Sequence, residues 1–132
     1  MYNLKGLKSG ESKISLILDS CIILEEWTSM AKTGAIPYKG KSFNTYNAKA
    51  KQWQQTWVDN AGSSTHYIYG KADANKIEFK TAPVSLKGDT MAIYRLTFFS
   101  LEKNKVRQLG EQSKDNGLTW TTQYDLEYRR RK

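Results

Sequence analysis

Turn signals interrupt this chain roughly every ten residues, and between them side chains tend to alternate along short runs rich in rings and β-branched groups. That pattern constrains the fold more than any other feature. Asp19-Ser20, Asn47 through Lys51, Asp59 through Gly62, and Lys114-Asp115-Asn116-Gly117 each supply residues that tolerate reversal of the backbone. Asn116-Gly117 is the strongest, because a tight hairpin needs positive φ at its centre. The intervening runs predict strands over residues 13–18, 21–28, 42–46, 52–58, 63–69, 76–81, 89–99, 105–113 and 119–129. No 3,4-spaced apolar pattern persists for three helical turns; only residues 25–32 have room for a brief helix. Short connectors pair each strand with the next. The prediction is therefore an all-β, antiparallel up-and-down meander of about nine strands, and closure into a barrel would remove its exposed edges.

The bulk properties agree with one domain over residues 1–132. Aromatic residues make up 12% of the 132-residue chain, which suits pleated, half-buried surfaces. Residues 1–12 are read as poorly ordered or as the start of a truncated first strand, and residues 129–132 as a basic tail. That tail supplies half of the net charge of +8, and the remaining excess is mostly lysine in turns. Lysine at turns and edges discourages aggregation, so no nucleic-acid partner is expected. The apolar stretch at 14–24 is interrupted by Ser15, Asp19 and Ser20 and is too short to span a bilayer, and no signal-peptide pattern opens the chain. One cysteine, Cys21, and one histidine, His66, supply neither a disulfide nor an ordinary zinc site, so no metal or other cofactor is expected.

Period-2 alternation sorts side chains onto faces. Trp53, Gln55 and Trp57 share one; Cys21, Ile23, Glu25 and Trp27 another; Ser42, Asn44 and Tyr46 a third. Met91, Ile93, Arg95, Thr97 and Phe99 form a fourth, and Trp120, Thr122, Tyr124, Leu126 and Tyr128 a fifth. Turned inward, these faces place Glu25, Asn44, Gln55 and Arg95 among the rings. A buried charge needs a partner, and a Glu25–Arg95 pair buttressed by Asn44 and Gln55 would satisfy it. Two uses follow. The group could be an internal network that fixes register, or a ligand pocket in which Arg95 grips a carboxylate or phosphate while Trp53 and Trp57 bury an apolar body.

Other motifs carry less chemistry. Ser113-Lys114-Asp115-Asn116-Gly117-Leu118-Thr119-Trp120 fits S-x-D-x-G-x-T-W, the Asp-box of sialidase propellers. One copy makes no propeller, and the residues themselves predict a hydrogen-bonded hairpin with Trp120 packed beneath. Glu25 with Glu111 could meet across a barrel as a carboxyl pair for acid–base work, although each reads more simply as an ion-pair or surface residue, and Glu25-Glu26 face opposite ways. Ser-His-Asp catalysis would depend on His66 alone, so no catalytic residue is assigned.

Several segments together resemble a known group. They are Cys21 through Trp27, Gly40 through Tyr46, W-x-Q-x-W-V-D from Trp53 to Asp59 with Gly62, Val106 through Glu111, the Asp-box, and Tyr128-Arg129. Across residues 16–130 the chain is similar to small uncharacterised bacterial proteins with a lipocalin-like (calycin) barrel. The resemblance implies a central cavity and an exported protein, periplasmic or secreted, and it brings no catalytic residues. This chain departs from the group in lacking a G-x-W opening strand. The functional expectation is a non-catalytic binder of a small apolar or amphipathic ligand, with an anionic one among the options, in the barrel interior, acting as a monomer or homodimer. Glu25, Asn44, Trp53, Gln55, Trp57, Arg95 and Glu111 are its candidate site. The rivals are a hydrolase or isomerase using Glu25 or Glu111, and a filled barrel with no ligand.

Overall fold

The computed structural model describes residues 1–3, 6–30 and 34–130. They form eleven strands and no helix: β1 (Tyr2–Asn3), β2 (Gly10–Ile17), β3 (Ile22–Ser29), β4 (Lys39–Asn47), β5 (Gln52–Asp59), β6 (Ser64–Ala72), β7 (Lys76–Lys80), β8 (Val84–Ser85), β9 (Met91–Glu102), β10 (Lys105–Ser113) and β11 (Thr121–Arg129). The nine expected strands are all present. The helical turn considered for 25–32 is replaced, as far as Ser29, by β3; Ala31, Lys32 and Thr33 lie outside the described residues, as do Arg131 and Lys132 of the tail. No helix among the described residues is long and apolar enough to cross a membrane.

Every pairing is antiparallel, and the spatial order runs β1-β11-β10-β9-β7-β6-β5-β4-β3-β2, with β8 paired to β9. The first strand therefore lies beside the last. Tyr2 pairs with Glu127 and Asn3 with Leu126, while Ser9 donates its backbone N–H to Met1 O at 2.8 Å. Met30 donates in turn to Ser9 O, so the start of the chain bridges the two ends of the meander and nearly closes a barrel. Residues 2–3 form β1 against β11, and residues 10–12 open β2.

Four register shifts interrupt the ladders, and two of them bear on the site. Between β5 and β6 the register steps from Trp53–Gly70 to Gln55–Tyr67, and Tyr69 takes φ 55°. Between β10 and β11 it steps from Gly110–Tyr124 to Glu111–Thr122, leaving Gln123 opposite nothing. An extra residue in one strand reverses the alternation beyond it. The fifth predicted face is corrected accordingly. Tyr124, Leu126 and Tyr128 point to the lumen, whereas Thr122 stands opposite Glu111 and the Trp120 ring lies on Arg95. The fourth face is corrected too. In β9 Tyr94 lines the cavity with Arg95 beside it, and Ala92, Leu96 and Phe98 share the face of Tyr94, with Leu96 opposite Phe79 on β7. Both parities of residues 91–99 carry apolar groups, so alternation alone could not choose between them.

The core is thin. Phe79, Ala92 and Leu96 are buried, with Phe98 edge-on to Phe79 at 6.4 Å. Glu25, Ser42, Gln55, Thr97 and Ser113 are buried beside them, and no buried side-chain polar atom among the described residues lacks a partner.

Candidate functional site

The wall of the lumen rests on glycines that occupy strand positions. A Cβ built on Gly40 would lie 2.1 Å from the Trp57 ring. On Gly10 it would lie 2.1 Å from Trp27, and on Gly110 2.3 Å from Tyr124. Each missing side chain lets a ring on the neighbouring strand lie against bare backbone instead of projecting to the barrel axis. Glycine costs strand stability, but here the ring covers the exposed backbone. The consequence is an interior with ring-lined walls and an open centre. Its cavity measures about 630 Å³ and is lined by Trp27, Trp57, Tyr67, Tyr94, Tyr124 and Tyr128, with Glu25, Gln55, Gln108 and Asp59 among them. This is within the range of small-molecule sites, about 300–1,000 Å³.

Polar groups cross the interior in a chain. Ser42 Oγ donates to Glu25 Oε1 at 3.1 Å and Ser12 Oγ to Oε2 at 2.8 Å. Asn44 Nδ2 donates to Ser42 Oγ at 3.0 Å, and Gln55 Nε2 donates to Asn44 Oδ1 at 2.7 Å. From the far side, the Tyr128 hydroxyl reaches Glu25 Oε2 at 2.5 Å and lies 2.6 Å from Gln108 Oε1. Gln108, Tyr124 and Tyr67 continue the polar lining of the same cavity. Only 6% of Glu25 is exposed, yet its carboxyl has three hydroxyl partners, which is what a buried carboxyl requires. Glu25 stands on β3 and Tyr128 on β11, at opposite ends of the meander, so this contact helps to close the barrel. Burial raises the phenol pKa values of Tyr67, Tyr124 and Tyr128, and Glu25 raises that of Tyr128 further. These hydroxyls therefore stay protonated.

At the rim, Asp59 Oδ2 accepts from Tyr38 OH at 2.7 Å and from Trp57 Nε1 at 3.2 Å, while Oδ1 accepts from the backbone of Ala61 and Ser63 at 3.0 Å each. The Tyr38 hydroxyl and the Ser63 amide, in that order, hold the carboxyl below its ordinary range.

The predicted residues divide. Glu25, Gln55, Trp57, Arg95 and Glu111 belong to the cavity wall. Asn44 supports Gln55 from behind. Trp53 packs by its backbone and Cβ against Gly70, with its ring 5.6 Å from Tyr46, and does not reach the cavity. The Glu25–Arg95 pair is not formed. The Arg95 Nε and Nη2 instead make a bidentate pair with Glu111 at 2.9 and 3.0 Å, and its guanidinium lies 4.0 Å from the centre of the Trp120 ring. Both carboxylates once considered for acid–base work are thus engaged. Sequence reasoning did not assign Tyr67, Tyr94, Gln108 or Asp59. The glycines at 10, 40 and 110 were the available signal, since a glycine inside a strand marks a close approach.

Two other features match their structural readings. In the Asp-box, Asp115 Oδ1 accepts from Ser113 Oγ and Thr119 N at 2.8 Å each, Asn116 and Gly117 take φ 60° and 90°, and Trp120 lies 3.8 Å from a Cβ built on Gly117. The Thr119 hydroxyl and amide, and then Ser113, lower the Asp115 pKa to about 2. His66 is exposed, its Nδ1 3.0 Å from Thr56 Oγ1.

One family, described as a protein of unknown function (DUF1579), matches residues 5–130. The chain belongs to DUF1579. No curated protein and no solved structure matches it. For this DUF1579 barrel, functional argument therefore starts from its own side chains: a ring-lined cavity, a hydrogen-bonded floor containing one carboxyl, and a rim carboxylate held by Tyr38 and Trp57. Among the described residues, no group of His, Cys, Asp and Glu is arranged to hold a metal ion.

Proposed function

We propose that this protein is a non-catalytic binder, used in the manner of a lipocalin, that holds a small apolar or amphipathic molecule inside its barrel. The observation that carries this reading is the cavity of about 630 Å³ walled by aromatic rings. Burial of an apolar body against such rings supplies affinity, and the few convergent polar groups orient it. Trp27, Trp57 and Tyr67 form the apolar wall, and Gln55 and Gln108 the polar points. The engagement of Glu25 by three hydroxyls and of Glu111 by Arg95 supports binding over acid–base catalysis.

The test is titration with N-phenyl-1-naphthylamine, a neutral aromatic probe whose emission rises in apolar surroundings. Saturable enhancement is expected, with a matching rise in melting temperature. At a hundredfold excess over Kd, mass action stabilises the folded state by about 2.7 kcal/mol. Linear, non-saturating emission with an unchanged melting temperature would contradict the proposal.

A further inference from the structure

The wall of the cavity also bears on the charge of its occupant. Among the described residues its only basic side chain is Arg95, and the guanidinium is bound edge-on to Glu111 and covered by Trp120. The charge of that guanidinium is already balanced by Glu111, so an entering anion meets a neutralised pair rather than a free cation. The other cation at the wall is the Met1 amino group, which donates to Gly10 O at 2.7 Å and whose proton affinity burial lowers. Opposed to these stand the carboxyls of Glu25 in the floor and Asp59 at the rim, neither paired with a cationic side chain among the described residues. The rings of Trp27, Trp57, Tyr38 and Tyr67 line the same cavity, and a cation seated over such a ring is attracted by its quadrupole. Tyr38 and Trp57, 6.2 Å apart and tilted by 40°, hold the Asp59 carboxylate through the Tyr38 hydroxyl and Trp57 Nε1, which fixes a negative charge beside the two rings.

Resting on the ligand-binding reading above, we infer that the cavity selects cations: its occupant is an apolar or aromatic molecule carrying a protonated or quaternary amine, with the amine toward Asp59 and the Tyr38–Trp57 rings. The net charge of the chain, +8, favours anions at long range, so a preference for cations must originate in the cavity.

Three ligands with one aromatic body separate the cases by calorimetry: 1-naphthylmethylamine, 1-naphthylmethanol and 1-naphthylacetate, cationic, neutral and anionic at pH 7. The amine is expected to bind about tenfold or more tighter than the acetate, with the alcohol between. Asp59→Asn, which keeps an acceptor oxygen for the turn, is expected to shrink that preference several-fold. Its melting curve checks that it folds. Binding of the alcohol with no advantage for the amine over the acetate would overturn the charge inference and leave the binding function standing. Failure of all three to bind would remove the binding function itself.

Discussion

Tyr128 shows how much rests on single hydroxyl groups here. Its phenol supplies one of the three hydroxyl partners of the Glu25 carboxyl and joins β11 to β3 across the closure of the barrel. Tyr128→Phe should therefore cost about 1–3 kcal/mol in urea unfolding, the range for leaving a buried polar group short of a partner. The raised phenols of Tyr67, Tyr124 and Tyr128 make a second prediction. Their neutral forms are favoured in the fold, so their stabilisation is intact below pH 10 and is lost as pH rises past the ordinary phenol value, where the unfolded chain gives up protons that the native state retains. Ultraviolet titration of the eight tyrosines should show at least three that ionise only with unfolding; reversible ionisation of all eight in the folded protein would contradict it. Asp115 acts at the other extreme. Its lowered pKa contributes stability that is complete above about pH 4 and lost as pH falls toward about 2. Asp59 is lowered as well, so its contribution too is present at neutral pH and lost on acidification. Asp115→Asn should flatten the acid limb of the melting-temperature profile. The Ser42–Asn44–Gln55 side of the polar chain was legible from period-2 alternation. Its other half was not, because Tyr128 meets Glu25 only when residues 103 apart in sequence are brought together by closure.

Among the elements, the glycine–ring pairs keep the barrel open. Gly40→Ala would push a methyl to within 2.1 Å of Trp57 and drive the ring toward the lumen. The expected cost is about 1–3 kcal/mol, the range for overpacking, accompanied by a shift in tryptophan emission. An unchanged spectrum and melting temperature would mean that the ring does not rest on this backbone. Nine strands were readable because each carries enough residues to display a pattern. β1 and β8 have two residues each and display none. The two bulges were equally invisible. Each inserts one residue without a composition signal, yet the one opposite Gly110–Glu111 determines that Trp120 covers Arg95 while Tyr124 lines the cavity. Arg95, read from alternation as an inward anchor, is therefore found locked to Glu111.

For the whole molecule, charge is segregated: a chain of net +8 surrounds a cavity whose carboxyls outnumber its free cationic groups. The meander brings rings from β3, β5, β6, β9 and β11 to one interior, with the glycines holding several of them back from the axis. Every functional statement above depends on that interior being both empty and the place where ligand binds. Thr65 is part of the cavity wall and takes no part in the polar chain, so Thr65→Trp adds bulk to the lumen without removing a hydrogen bond of the network. The most direct measurement is N-phenyl-1-naphthylamine affinity in this variant beside its melting curve. A cooperative melt with affinity reduced about tenfold or more is the result predicted. A folded variant that binds the probe as tightly as the unaltered protein would show that the ligand site lies elsewhere.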